Sequence, residues 1–249
     1  MSTSERHFTP AASGRVRRVL VVAGCGVLTV TATACESTEQ ESAKLGRESS
    51  AANAGKTVKF GAVDRSVEVS DVTLLAGTGT GAVAARLRST SSSAAVGLPL
   101  DLEITDAGGK LLYTNQTAGL EVALQQLSLL PAHGSVWWVD DQVPALPKSS
   151  HVELRVGKPK PGAKGASRAL STAGVKRAVQ SGVGVVEGRV KGNSSNGADV
   201  FVVALKAGRP IAAGRATVAK LRGSETFEAF LAGKAGSAAI HVDALPSVQ

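Results

Sequence analysis

Downstream of its N-terminal segment, the 249-residue chain offers few residues with which chemistry would begin. His133, His151 and His241 lie far apart, and none has a metal-ligand spacing such as His-x-x-x-His. A Gly-x-Ser-x-Gly nucleophile elbow does not occur. The run Ala76-Gly77-Thr78-Gly79-Thr80-Gly81 superficially suggests a phosphate loop, but no Lys-Ser/Thr and no helical pattern follow it, so it reads as a hairpin turn. Asp140-Asp141 supplies two carboxylates where a calcium ion takes six to eight oxygens, so a solvated turn is the better reading. The expectation is a chain without catalytic residues, metal or cofactor.

The two cysteines, Cys25 and Cys35, both fall in the N-terminal segment. Arg15, Arg17 and Arg18 precede sixteen uncharged residues, Val19 to Ala34, and the chain turns acidic from Glu36. A basic region, a short apolar region and small residues before a break mark a secretory signal. A spanning helix needs ~20 predominantly apolar residues, and Thr29, Thr31 and Thr33 dilute this shorter run. A Cys25–Cys35 disulfide conflicts with geometry, since ten helical residues rise ~15 Å whereas bridged Cα atoms lie ~4.4–6.8 Å apart. Two thiolates alone also leave a tetrahedral metal half coordinated.

Ala32-Thr33-Ala34-Cys35 resembles the lipobox of bacterial lipoproteins, which implies cleavage before Cys35 and lipid attachment to it. Val22-Ala23-Gly24-Cys25 competes. Only Val19 to Val22 separate it from Arg18, below the ~7–15 apolar residues a signal needs. Cleavage there would also leave Cys35 as an unpaired thiol. The expected membrane partner is therefore engaged through lipid at Cys35, with the chain facing the extracellular side. Arg17-Arg18-Val19-Leu20 suits the general and the twin-arginine export routes alike.

The formal charge of +8 falls to +5 when residues 1–34 are removed, because four arginines and one glutamate leave with them. The basic character is concentrated: residues 158–182 carry six basic side chains and no acid. With only 3% aromatic residues to interleave, nucleic acid is not an expected partner.

Residues 35–56 are polar and aperiodic, a lipidated tether with an r.m.s. span of ~25 Å. From Thr57 the pattern has period two. Val67 and Val69 alternate with Ser66, Glu68 and Ser70, and Leu100, Leu102 and Ile104 alternate with Asp101, Glu103 and Thr105. Asp106-Ala107-Gly108-Gly109 turns the chain into a return strand at Leu111-Leu112-Tyr113. "AGLEVALQQL" leaves room for one or two helical turns. Short alternating strands separated by Gly, Ser and Asp clusters indicate a β-sandwich over 57–157. Residues 158–182, with two prolines and four glycines, read as a basic interdomain linker whose second half could form a short helix. Strand patterning resumes over 183–249. "DVFVVALKAGRPIAAGRATV", "KLRGSETFEAFLAG" and "SAAIHVDALPS" echo "LDLEITDAGGKLLYTN", "LLPAHGSVWWVDD" and "SSHVELRVGKP" in the same order, so the chain reads as tandem copies of one fold. The second copy has few large side chains and should be the less stable half.

"VEGRVKGNSS", "VFVVALKAGRPIAAG" and "SETFEAFLAG" resemble the FxLYD-type immunoglobulin-like modules of secreted bacterial lipoproteins, well over 183–246 and loosely over 57–157. Leu205-Lys206-Ala207-Gly208 stands where that family usually has an aromatic-Asp turn. The resemblance implies an all-β chain of two tandem immunoglobulin-like sandwiches and no catalytic residues. The expected role is binding or scaffolding at the cell envelope, with an envelope protein or wall polymer as partner. An enzyme or accessory subunit acting on wall polymers is the alternative.

The Trp137-Trp138 pair provides the single contact candidate. Neighbouring strand residues point to opposite faces. Sliding "LPAHGSVWWV" over "LRGSETFEAF" with one inserted residue aligns Trp137 with Phe227 and Trp138 with Glu228. On that register Trp137 is buried and Trp138 is an exposed contact for a partner or sugar ring. The competing arrangement packs Trp138 under "AGLEVALQQL".

Overall fold

A computed structural model describes residues 58–77, 79–159 and 170–247. The expected signal segment 1–34 with Cys25, the expected tether 35–56 with Cys35, and the middle of the expected linker lie outside the described residues. The chain is all-β, as its period-two patterning predicts. In the first half, β1 (Val67–Ala76), β2 (Thr80–Ser89) and β6 (Ser135–Pro144) form one antiparallel sheet in the order β1-β2-β6. The second sheet is built on β3 (Ala95–Thr105). β7 (His151–Val156) runs along one side of it, and β4 (Leu111–Thr114) and β5 (Gln126–Leu130) share the other. "AGLEVALQQL" contributes one helical turn, α1 (Val122–Gln125), leading into β5.

The second half contains β8 (Ser171–Gln180), β9 (Val183–Ser194), β10 (Ala198–Lys206), β11 (Arg209–Val218), β12 (Leu221–Phe230), the two-residue β13 (Ala232–Gly233) and β14 (Ala239–Pro246). Its sheets run β12-β9-β8 and β13-β11-β10-β14. The topology of the first half recurs: β8-β9-β12 matches β1-β2-β6, and β11-β10-β14 matches β4-β3-β7. Each half also bridges a residue ahead of its first strand to its closing segment, Val63 to Gly157 just past β7 and Leu170 to Ala244 of β14.

Here the expected linker is corrected. Residues 171–180 are neither linker nor short helix but β8, paired along β9 from Ser171↔Lys191 to Gln180↔Val183. A bulge hides the strand from period-two reading. The register shifts between Ala173 and Lys176, where Gly174 takes φ 63°. β1 carries the same device, a shift between Ser70 and Thr73 with Asp71 at φ 53°. One extra residue re-phases everything after it, so alternation fails across the bulge although both sides are strand.

The halves do not hang apart. The β13-β11-β10-β14 sheet packs on the β1-β2-β6 sheet, giving four stacked layers in the order β4/β5-β3-β7, β1-β2-β6, β13-β11-β10-β14, β12-β9-β8. The two middle layers are therefore covered on both faces. Ala82, Val83, Ala84 and Ala85 of β2 are all buried, as is every residue of β10 from Ala198 to Ala204. Along β10, Phe201 and Val203 join the core of the first half, while Val200, Val202 and Ala204 fill that of the second. Small side chains at Ala82, Ala84 and Ala213 let the two sheets approach.

Candidate functional site

The junction between the halves holds a buried ion cluster around Arg215, and β6 organises the first half's side of it. Directly opposite strand residues share a face, and Trp138 stands opposite Ala85 whereas Trp137 stands opposite Arg86. Trp138 is 0% exposed in the first half's own sandwich, and its indole Nε1 donates to the Ala123 carbonyl of α1 at 3.1 Å. Trp137, 4% exposed, faces the second half, and its backbone N–H donates to Asp243 Oδ2 at 2.7 Å.

This overturns the expectation that Trp138 is an exposed contact residue. It is the more deeply buried of the pair and packs with the "AGLEVALQQL" segment, the competing arrangement. The two rings do point to opposite faces; both faces are covered. The structure aligns the two copies without the inserted residue. Setting Gly134-Ser135 on Gly223-Ser224 without a gap brings Trp138 onto Phe227. Both then stand on the inward face opposite a small residue, Ala85 and Gly188 respectively.

The next inward–outward step along β6 separates Asp140 from Asp141. Asp140 turns into the first sandwich, accepting from the Tyr113 hydroxyl at 2.8 Å and the Gln142 backbone N–H at 3.0 Å. Burial pushes its carboxyl up to about 6, against the pull of those two hydrogen bonds. Burial followed by the Asp140 charge raises the Tyr113 phenol. Asp141 turns the other way, to Arg215 of β11. The expected solvated turn is thus corrected: both aspartates stand on β6, Asp140 is fully buried, and strand alternation sends the two carboxylates to opposite faces.

Arg215 is buried, and its guanidinium reaches carboxylates from both halves. Nη1 lies 2.9 Å from Glu121 Oε2 and 3.9 Å from Asp199 Oδ1, and Nε lies 3.4 Å from Asp141 Oδ1. Nη1 also donates to Thr217 Oγ1 at 3.2 Å. Burial opposes the Arg215 charge, but Asp141, Glu121 and Asp199 outweigh it and hold its pKa above the ordinary value. Burial raises Asp141 and Asp199, with Arg215 pulling each back. At the far edge of the junction His241 Nε2 lies 3.1 Å from Asp243 Oδ2, a hydrogen bond that raises the imidazole despite partial burial. Asp243 thereby ties its own strand to the backbone of β6.

A cavity of about 500 Å³ opens beside this cluster, lined by Asp141, Phe230, Leu231, Lys234, Gly77 and Gly233. Phe230 is 52% exposed at its rim. Among the described residues no group of three or more His, Cys, Asp or Glu side chains is placed to hold a metal ion. His133, His151 and His241 stand on a loop, on β7 and on β14. The β1–β2 hairpin is closed by the Gly77 N–H donating to the Thr80 carbonyl at 2.8 Å. Sequence reasoning missed Arg215, Glu121 and Asp199. The available signal was an arginine in the interior of β11 among small side chains, and an aspartate at the second position of β10 ahead of the apolar run Val200–Leu205.

Comparison with protein families, with curated proteins and with solved structures finds no match in any of the three.

Proposed function

We propose that this is an exported protein, anchored to the cell membrane by lipid at Cys35, with a non-catalytic binding or scaffolding role at the extracellular side. The observation that carries the reading is the order basic region, short apolar run, Ala32-Thr33-Ala34-Cys35, acidic tether. The body that follows suits display. Two halves share one core, and Arg215 ties Glu121 and Asp141 of the first to Asp199 of the second. Such a body presents fixed outer faces at the end of a tether. The resemblance to FxLYD-type lipoprotein modules supports the same role.

The test is fatty-acid labelling of cells expressing the full chain. Cys35→Ala abolishes incorporation and releases the protein from the membrane fraction, while Cys25→Ala retains both. The reverse pattern assigns the anchor to Cys25, and label in neither protein removes the lipoprotein reading.

A further inference from the structure

The two copies pack by one rule and then depart from it. In the first copy the outward face of β1-β2-β6 is apolar, with Leu75, Ala82, Ala84, Trp137 and Val139, and the second copy covers it. The equivalent outward face of β12-β9-β8 lies at the open end of the stack, and its composition is different. Register places Ser171, Lys191 and Ser224 in one cross-strand row, Ala173, Arg189 and Thr226 in the next, and Asn193 opposite Arg222. Glu225 stands opposite Val190, a core residue, and so belongs to the other face. Lower on the same face Glu187 pairs with Lys176 at 2.9 Å, while Glu228, opposite Glu187, accepts from the neutral Gln180 amide and keeps its charge, so the basic part of the face is the end that carries Arg189, Lys191 and Arg222. Among the described residues Arg189, Lys191, Lys220 and Arg222 have no carboxylate partner.

Two hollows flank Lys191 on this sheet. One, of about 480 Å³, brings Arg189, Thr226 and Lys176 together with the carboxylates Glu187 and Glu228; the other, of about 340 Å³, lies at the end of the sheet and includes Asn193, Lys220 and Arg222 beside Leu221. Same-face residues along a strand repeat every ~7 Å, so the cations form a row with hydroxyl and amide donors between them. We propose that the outward face of β12-β9-β8 docks a linear polyanion bearing phosphodiester groups. Guanidinium and ammonium groups interleaved with Ser, Thr and Asn donors match a chain that carries one charge and several acceptor oxygens per repeat.

The location favours a polymer over the membrane. The described chain enters at the opposite end of the stack, where the Val58 N–H donates to Gln125 Oε1 at 2.9 Å. Four sheets at ~10 Å spacing put the basic face ~30 Å from the layer where the tether joins. This placement rests on the lipid-anchor reading; the binding itself does not.

The test uses the full-length chain with Cys35→Ala in non-ionic detergent, so that lipidation has no part in the result. Anisotropy is measured with a labelled synthetic oligo(glycerol phosphate), with polygalacturonate, and with micelles of the same detergent doped with phosphatidylglycerol. The expected result is saturable binding to the oligo(glycerol phosphate) whose log affinity falls linearly with log salt, as counterion release requires. Arg189→Glu/Lys191→Glu and, separately, Lys220→Ser/Arg222→Ser lower affinity by ~10-fold or more. Lys206→Glu/Arg209→Glu, the same charge change on the exposed β10–β11 turn, alters it less than ~2-fold. Equal loss in that control, preference for the uronate polymer, or binding to doped micelles alone would overturn the proposal. So would a concentration-dependent dimer abolished by Arg189→Glu/Lys191→Glu, which would make the face a self-association surface.

Discussion

Arg215 is the residue on which the junction turns. One buried guanidinium faces Glu121, Asp141 and Asp199, and removing one partner of a buried pair typically costs ~3–5 kcal/mol because the others stay buried and uncompensated. Arg215→Met should therefore destabilise by about that much at pH 7, measured by urea unfolding. The defect should shrink between pH 7 and 5. Asp141 and Asp199 are already raised by burial, and losing Arg215 removes the charge that pulls them down, so they neutralise instead of remaining as bare anions. Asp140 gives a second pH effect with a definite sign. Its folded pKa, about 6, lies above its ordinary 3.8, so the folded state binds the proton more tightly. That contribution is fully present below pH 3.8 and lost as pH rises through 6. The protein should gain stability on acidification from pH 7 to 5. Asp140→Asn should flatten that rise, and an unchanged slope would remove Asp140 as its source.

At the scale of elements, β8 and β1 solve one problem with different residues. Both bulge after the first few positions, and both place a residue at positive φ there, Gly174 at 63° and Asp71 at 53°. Glycine adopts that region freely, whereas a side chain pays ~1–2 kcal/mol. Gly174→Ala should thus destabilise by ~1–2 kcal/mol, while Asp71→Gly should stay within ~0.5 kcal/mol of the parent in thermal or urea unfolding. Equal effects would mean that the two bulges are not equivalent. The same comparison explains why β8 was illegible in the sequence. Gly174 and the following Val175-Lys176-Arg177 break the alternation, and exposed Val179 offers no inward face to read. The Lys206-Ala207-Gly208-Arg209 turn, by contrast, was legible. Ala207 and Gly208 take φ 50° and 77°, the two-residue hairpin geometry that an Ala-Gly pair can announce locally.

At the scale of the molecule, the second half was expected to be the weaker and separable one. The shared core argues otherwise, because Phe201, Val203, Ala213 and Leu245 of the second half pack with Trp137, Val139 and Leu75 of the first. A single calorimetric transition is expected, with calorimetric and van't Hoff enthalpies equal. Trypsin cleavage within residues 160–169 should leave two pieces that co-elute in gel filtration. Two transitions in the intact protein, or fragments that separate without denaturant, would show that the junction is too weak to couple the halves.

The amino-acid sequence by itself determined that the chain is β, where most of its strands and hairpins fall, and that one topology occurs twice. Those properties are local: side-chain alternation, turn residues and the repeated order of elements are written in neighbouring positions. Only the tertiary structure decided what each face meets. Alternation says that Trp137 and Trp138 part to opposite sides; it does not say that α1 closes one side and a whole second sheet the other. Nor does a lone Arg215 between Gly214 and Ala216 announce Glu121, which lies 94 residues away. Which copy's outward face is apolar and covered, and which is basic and open, follows from the stacking of four sheets. Stacking is a long-range matter of small side chains admitting a neighbour, and period two carries no record of it.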